Sequence, residues 1–406
     1  MDNQNTPRIR IGRFSNTWGK EQLREIARIF QSGGTPSTKE EKYWNGDIPW
    51  IQSSDLEKDS LFGVEPQKFI TEFGLQNSSA KLIPENSIAI VTRVGVGKLA
   101  IVDQDYTTSQ DFLSLSNLNG DIHFLVYSLY RMLQKESTQL QGTSIKGITK
   151  EDLLSKQIGV PDIQEQSAIG SLFHTLDDLL ADYKENLVNY KAFKASMLSK
   201  MFPKSGQIVP EIRLAGFEGE WEKYYLGDIF EQVSNYIEPS VENELWSLTV
   251  EKGLTPKTER YKRDFLVKKN DKFKKVDVNE FVYNPMNLTL GALDLNNNEV
   301  TVSVSGYYVV MKNRGIEKFD NDFLKILLKT MYAIYQYKQF ATGTLIEKQR
   351  VQFPTFSEIP FYLPPIAEQQ AVGSFFSNLD TLISSYQDKI SQLENLKKKL
   401  LQDMFI

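Results

Sequence analysis

The chain contains two copies of one frame. A shift of 203 residues lays Pro7, Ile9, Arg10, Phe14, Trp18, Lys20, Leu23 and Ile26 on Pro210, Ile212, Arg213, Phe217, Trp221, Lys223, Leu226 and Ile229. The same shift lays Pro161-Asp-Ile-Gln-Glu-Gln on Pro364-Pro-Ile-Ala-Glu-Gln and runs on to Met201-Phe202 over Met404-Phe405. Of the 42 residues from Pro161 to Phe202, 16 recur unchanged. Between these stretches, residues 30–155 and 233–358 share almost nothing. A repeat of this kind decides the architecture before any local propensity does, because whatever closes one insert must close the other.

The last part of each copy has helical character. Apolar residues fall at Ile169, Leu172, Leu176, Leu179, Tyr183, Leu187, Tyr190, Phe193, Met197 and Met201, and in the second copy at Val372, Phe375, Leu379, Leu382, Tyr386, Ile390, Leu393, Leu396, Leu400 and Met404. Both sets step at about 3.6 residues, the period of an amphipathic helix. Pro161 and Pro364 mark the entries and Pro203 stops the first helix. Some 38 residues at ~1.5 Å each make a rod of roughly 57 Å. Two single-striped helices pack most simply on each other as a coiled-coil-like pair, and an antiparallel pair is the economical arrangement. The alternative is that each helix packs only on its own insert.

The inserts read as mixed α/β. Ser87-Ile-Ala-Ile-Val-Thr and Leu99-Ala-Ile-Val are strand-like runs around a glycine turn, and Val300-Thr-Val-Ser-Val-Ser alternates with period two. Phe323–Phe340 and Asp121–Glu136 are helical in pattern. The expected fold class is therefore α+β: two globular domains joined by two long helices, with an internal pseudo-twofold repeat. The partition is 1–160 for the first domain, 161–202 for a central helix, 203–220 for a linker, 221–361 for the second domain and 362–406 for a C-terminal helix.

Composition removes several function classes. The absence of cysteine excludes disulfides and thiolate metal sites and fits a reducing cytoplasm. No apolar run approaches the ~20 residues of a membrane helix, and Met-Asp-Asn-Gln-Asn-Thr-Pro does not resemble an export leader. The only histidines are His123 and His174. His123 reads as a packed or surface residue, and His174 aligns with Ser377, so the repeated frame does not need an imidazole there. A net charge of −5 argues against a nonspecific nucleic-acid coat. It leaves room for local basic surfaces, of which Lys257–Lys275, with nine Lys/Arg against three acids, is the strongest.

Two short motifs point toward enzymes and fail on context. Gly95-Val-Gly-Lys-Leu-Ala fits a loose dinucleotide pattern, but a strand follows it where a helix is needed, so a β-hairpin turn is the better reading. Asn284-Pro285-Met286-Asn287 approaches the Asn-Pro-Pro-aromatic motif of adenine methyltransferases. It lacks the second proline, the stacking aromatic and a glycine-rich cofactor loop.

The first insert opens with Gly33-Gly34-Thr35-Pro36-Ser37 and Tyr43-Trp44-Asn45-Gly46-Asp47-Ile48-Pro49-Trp50. Later come Arg93-Val-Gly-Val-Gly-Lys98, Thr108-Ser109-Gln110 and Gly142-Thr143-Ser144; Gly343-Thr344 ends the second insert. With the duplicated Pro-x-Ile-x-Glu-Gln helices, these strings resemble the specificity (S) subunit of type I restriction–modification systems over essentially the whole chain. The second insert lacks the Gly-Gly-Thr-Pro start and looks like a different target-recognition type.

The resemblance implies a non-catalytic DNA reader. Each insert would be a target-recognition domain on one half of a split, asymmetric site in double-stranded DNA, and the helices would form a spacer that docks two methyltransferase (M) subunits. S-adenosylmethionine would belong to those partners, and ATP and Mg²⁺ to restriction (R) subunits, with no cofactor on this chain. A solitary DNA methyltransferase, or a decayed or phase-variable interaction protein, are the competing readings.

Residue types suited to base edges and phosphates mark the candidate DNA contacts. In the first domain these are Gly34, Thr35, Ser53, Ser54, Arg93, Lys98, Ser109, Gln110 and Lys146, with Gly95 and Gly97 letting backbone approach phosphate. Trp44 and Trp50 read as core anchors. In the second domain they are Lys252, Lys257, Arg260, Lys262 and Arg263, then Lys348 and Arg350. Asn284 and Asn287 either read adenine or cap a turn before Leu288.

Overall fold

A computed structural model of the chain describes residues 6–12, 14–139, 147–204, 206–240, 243–256, 273–343 and 349–406. The chain divides into two compact units, Met1–Lys184 with Asp388–Ile406, and Glu185–Gln387. The divisions fall inside two 38-residue helices, a central one at Ile163–Lys200 and a C-terminal one at Ile366–Asp403, so each helix contributes to both units.

The first unit is built on a four-stranded antiparallel sheet in the order Ala27–Ser32, Phe112–Leu118, Ser87–Val91, Leu99–Val102. Ser87–Val91 and Leu99–Val102 are the expected hairpin, paired Ser87 to Val102 through Ile90 to Leu99. All five residues of Ser87–Val91 are buried. A continuous apolar run is what a strand covered on both faces requires. Ala89 and Val91 pack with Ile51, Leu56, Tyr106 and Phe112. The helix Ile122–Gln139, predicted over 121–136, buries Phe124, Leu125, Tyr127, Leu129 and Leu133.

The second unit shares no insert sequence with the first, yet it repeats the sheet. Its order is Phe230–Val233, Val309–Asn313, Phe281–Tyr283, Leu293–Leu295, again first strand, last strand, then the middle hairpin, all antiparallel. The expected strand at Val300–Ser305 forms at Val302–Ser305 and pairs with Phe273–Val276. The expected helix over 323–340 is two helices, Asn321–Leu327 and Met331–Phe340. The Thr330 hydroxyl accepts from Ala333 N–H at 3.1 Å and starts the second one, an N-cap that helical periodicity alone does not register.

The repeated frame closes each insert in the same way. Gly19–Gln22 pairs antiparallel with Gln157–Val160, and Glu222–Tyr225 pairs with Pro360–Leu363 in the same register. In the first unit Arg10 donates to the Glu165 carboxylate through Nε at 2.8 Å and Nη2 at 2.5 Å, and Trp18 Nε1 adds a bond at 3.2 Å. In the second, Arg213 donates through Nε at 2.8 Å and Nη2 to Glu368. Such two-pronged, charge-assisted pairs are the strong ones. Glu165 raises the Arg10 pKa above its ordinary value, chiefly by hydrogen bonding and against the effect of burial.

The next residue of the motif seats the insert's helix. Gln166 Oε1 accepts from Asp121 N–H at 3.0 Å while its amide donates to the Pro161 carbonyl at 2.9 Å. Gln369 treats Asp320 N–H and the Pro364 carbonyl likewise, at 3.0 and 2.8 Å. Asp121 and Asp320 then cap Phe124 and Phe323 N–H. Gly170 leaves the space for this: a Cβ there would lie 2.5 Å from Asp121 Oδ1 and 2.7 Å from the Phe124 nitrogen. Glu-Gln-x-x-x-Gly is thus a packing motif, which explains its duplication.

The two long helices also touch each other within each unit. In the first unit Lys397 pairs with Asp177, and Lys184 with Glu394 at 2.7 Å. In the second, Lys194 pairs with Asp380, and the Tyr190 and Tyr386 rings lie 5.2 Å apart. In both, later residues of one helix meet earlier residues of the other, so the local pairing is antiparallel. Each helix packs on an insert as well, as Phe173 does on Tyr127. The buried face is therefore wider than one stripe. Phe173 and Leu180 are buried outside the predicted set, whereas Leu179 and Phe193 within it are exposed. Among the described residues no helix is long and apolar enough to cross a membrane.

Candidate functional site

The Arg93–Lys98 stretch forms the tip of the hairpin in the first unit. Gly95 and Gly97 take φ of +90° and +98°, in the left-handed region that side chains rarely adopt. The tip overlooks a groove of about 1060 Å³ lined by Gly33, Arg93, Gly95, Gln110, Gly147 and Lys150 among others. Arg93, Gly95 and Gln110 are thus brought together, as their shared candidacy requires. Arg93 and Gln110 are exposed, and neither has a hydrogen-bond or ion-pair partner among the described residues.

The other candidates of this unit are placed differently. Lys98 donates to the carbonyls of Ser53 at 2.9 Å and Leu56 at 2.6 Å, so its ammonium ties the 53–56 loop to the hairpin. The Ser54 hydroxyl turns to Asp55 at 3.2 Å. Gly34 and Ser109 are buried. Gly34 N–H donates to the Thr108 carbonyl at 2.9 Å, and the Thr35 carbonyl accepts from Ser79 at 3.2 Å. A Cβ on Gly33 would lie 2.1 Å from Thr108 Oγ1, and one on Gly34 2.1 Å from the Ser79 carbonyl oxygen, so the paired glycines mark close packing. Trp50 is buried and donates to the Gly34 carbonyl at 3.0 Å, with Trp44 edge-on to it at 5.0 Å. Both are the core anchors expected. Lys146 lies outside the described residues.

In the second unit Lys257, Arg260, Lys262, Arg263 and Lys348 lie outside the described residues. Lys252 is exposed in the turn between Trp246–Thr249 and Gly253–Pro256. Asn284 Oδ1 accepts from Met286 N–H at 3.0 Å, which is the turn-capping alternative, while Asn287 is exposed. Arg350 is exposed, and its backbone pairs with Thr342.

Sequence reading missed a buried carboxylate in this unit. Asp294 accepts from Leu254 N–H and Lys329 at 2.9 Å each, with Lys325 at 3.5 Å. Burial pushes its pKa up, but the two lysines hold it below the ordinary aspartate value. The Lys397–Asp177 and Lys194–Asp380 pairs were also missed, although they were findable. Asp177 aligns with Asp380 and Lys194 with Lys397 at the shift of 203 residues, charged positions kept in both copies.

The two histidines stack on each other, ring centroids 4.4 Å apart, with Phe62 against both. Burial first, then His174, lowers the His123 pKa. Among the described residues no group of three or more His, Cys, Asp or Glu is placed to hold a metal.

The two units share one four-stranded sheet order on one duplicated frame, and the first presents on an open groove a guanidinium and a carboxamide that have no partner among the described residues. The chain belongs to the family of the type I restriction modification DNA specificity domain, whose family model matches residues 15–189 and 218–395. It is 28% identical over 182 residues to the type I restriction enzyme MjaIX specificity subunit of Methanocaldococcus jannaschii, covering 43% of this chain and 41% of that one. It is 33% identical over 176 residues to the EcoR124I/EcoR124II specificity subunit of Escherichia coli, covering 41% and 42%. Each alignment therefore spans about two fifths of the relative's length. The fold is similar to the crystal structure of a type I S subunit from M. genitalium, with a TM-score of 0.62, 16% identity and 99% of each chain covered.

Proposed function

We propose that this chain reads a split, asymmetric DNA site, one unit on each half, and scaffolds two adenine-N6 methyltransferase subunits and, through them, restriction subunits. The observation that carries the reading is the frame built twice around inserts of unlike sequence. Arg10, Glu165, Gln166 and Gly170 recur as Arg213, Glu368, Gln369 and Gly373, while the insert sequences between them share almost nothing. A single continuous site would not need two holders; two half-sites of different sequence would. On this reading the paired helices are a coiled-coil-like spacer within a pseudo-twofold repeat. S-adenosylmethionine, ATP and Mg²⁺ act in the partner subunits, and the complex works in the cytoplasm. With net charge −5, the chain alone neutralises few phosphates, so partner subunits supply much of the DNA affinity.

The test is an exchange of residues 221–361 for the equivalent domain of a relative, followed by methylome sequencing. One half of the methylated motif should change and the other persist. A change in both halves would overturn the assignment of one unit to one half-site.

A further inference from the structure

We propose that Arg93 and Gln110 read neighbouring base pairs of the first unit's half-site, Arg93 contacting a guanine and Gln110 an adenine. This inference rests on the DNA-reading function above and assigns chemistry within it.

The argument starts from the polar groups of the groove. Thr92 Oγ1 donates to the Asp111 carbonyl at 3.0 Å. Lys150 Nζ reaches the Phe30 carbonyl at 3.4 Å. The Thr149 hydroxyl caps Asp152 N–H at 3.1 Å and donates to its carboxylate at 2.7 Å. Ser32, Arg93, Gln110 and Glu151 also line the groove, exposed and without a side-chain partner among the described residues; of these four, only Arg93 and Gln110 carry a paired set of polar groups with at least one donor, the pattern that base edges require.

Their chain neighbours are tied to each other just beyond the strand ends. Thr92 N–H donates to the Asp111 carbonyl at 2.7 Å, and Ile148 N–H donates to the Thr92 carbonyl at 2.8 Å. Arg93 follows Thr92 and Gln110 precedes Asp111, so in the antiparallel pairing both lie on the same side of one hydrogen-bonded pair, next to each other. Neighbouring positions across one antiparallel pairing suit adjacent base pairs, which are stacked ~3.4 Å apart.

The functional groups then select the bases. A guanidinium fork offers paired donors, matching the O6 and N7 acceptors of guanine in the major groove. A carboxamide offers one donor and one acceptor, matching adenine N7 and N6–H₂. Gln110 carries no charge and releases no counterion, so a phosphate role would add little affinity, whereas a base role uses both of its polar atoms.

The experiment is methylome sequencing of the host carrying Arg93→Ala, Arg93→Lys, Gln110→Ala or the native chain, together with its own methyltransferase subunits. Arg93→Ala and Arg93→Lys should both make one G·C position of the first half degenerate, lowering discrimination roughly 10- to 100-fold. Gln110→Ala should do so at the adjacent A·T position, with the second half unchanged. Arg93→Lys is the decisive variant, because it keeps the charge and loses the fork. If it preserves the motif while Arg93→Ala only lowers methylation uniformly, Arg93 is a phosphate contact and the proposal is overturned. Relaxed positions that are not neighbouring, or not G·C and A·T respectively, overturn it too. Thermal unfolding of each variant distinguishes misfolding from lost recognition, and matched Tm values are expected because both side chains are exposed. Replacing residues 30–155 in the native chain is a separate check: an unaltered first half-site would defeat the DNA-reading function itself.

Discussion

The clasp between Arg10 and Glu165 supports a quantitative prediction. The Glu165 side chain has 0% exposure and the Arg10 side chain 13%, so both charges are largely out of water. Arg10→Met removes two of the three bonds to the carboxylate and leaves Trp18 Nε1 at 3.2 Å as the remaining donor from this cluster. Breaking one side of a buried ion pair costs about 3–5 kcal/mol, because the abandoned charge stays buried. A domain of this size loses about 2–4 °C of Tm per kcal/mol, so the expected fall is on the order of 6–20 °C.

The double variant Arg10→Met/Glu165→Leu should recover most of that loss, since an apolar pair of similar volume is often as stable as the ions it replaces. It keeps a residual cost of about 1–3 kcal/mol for the unpaired Trp18 N–H. Arg213→Met should cost at least as much as Arg10→Met, because Glu368 is equally buried, Trp221 Nε1 does not bond to it as Trp18 does to Glu165, and Arg213 also donates to the Gly219 carbonyl at 2.6 Å. Calorimetry and urea unfolding of the three variants provide the measurement. A single-variant loss under about 1 kcal/mol, or a double variant no better than Arg10→Met, would refute the claim that a buried charge pair closes each unit.

Gly170→Ala should destabilise more than Gly373→Ala, roughly 1–3 kcal/mol for the first by urea unfolding. Its nearest clashes are at 2.5 and 2.7 Å, against 2.9 and 3.1 Å for Gly373. His123 predicts a pH dependence. Its folded pKa lies below the ordinary value, so the unfolded chain binds more protons as pH falls below about 6.5, and stability should drop between about pH 7 and 5. His123→Gln should flatten that part of the urea-midpoint profile; an unchanged slope would rule the group out. Deleting Asp182–Glu185 together with Ser385–Asp388 shortens each helix by one turn, ~6 Å. With base pairs ~3.4 Å apart, the gap between methylated half-sites should shrink by one to two pairs, read by methylome sequencing. The deletion also removes Tyr183, Tyr386 and the Lys184–Glu394 pair, so a lower Tm is expected with it.

Much of this protein was legible in the chain because repetition is a global signal. The shift of 203 residues located the frame, and 3.6-residue periodicity located the long helices, found at Ile163–Lys200 and Ile366–Asp403. The hairpin around Gly95 and Gly97 followed from two apolar runs and a turn. What the sequence could not convey is set by contacts distant along the chain. Lys98 and Arg93 are both cations at a hairpin tip, yet one is held by carbonyls more than forty residues away and the other has no partner among the described residues. Composition is blind to that difference. The common strand order of the two inserts was invisible for the same reason, since many apolar sequences satisfy one pattern of strand pairing. Sequence alone determined that one frame was made twice; tertiary structure decided that both inserts share one sheet and which polar groups remain free to meet a ligand.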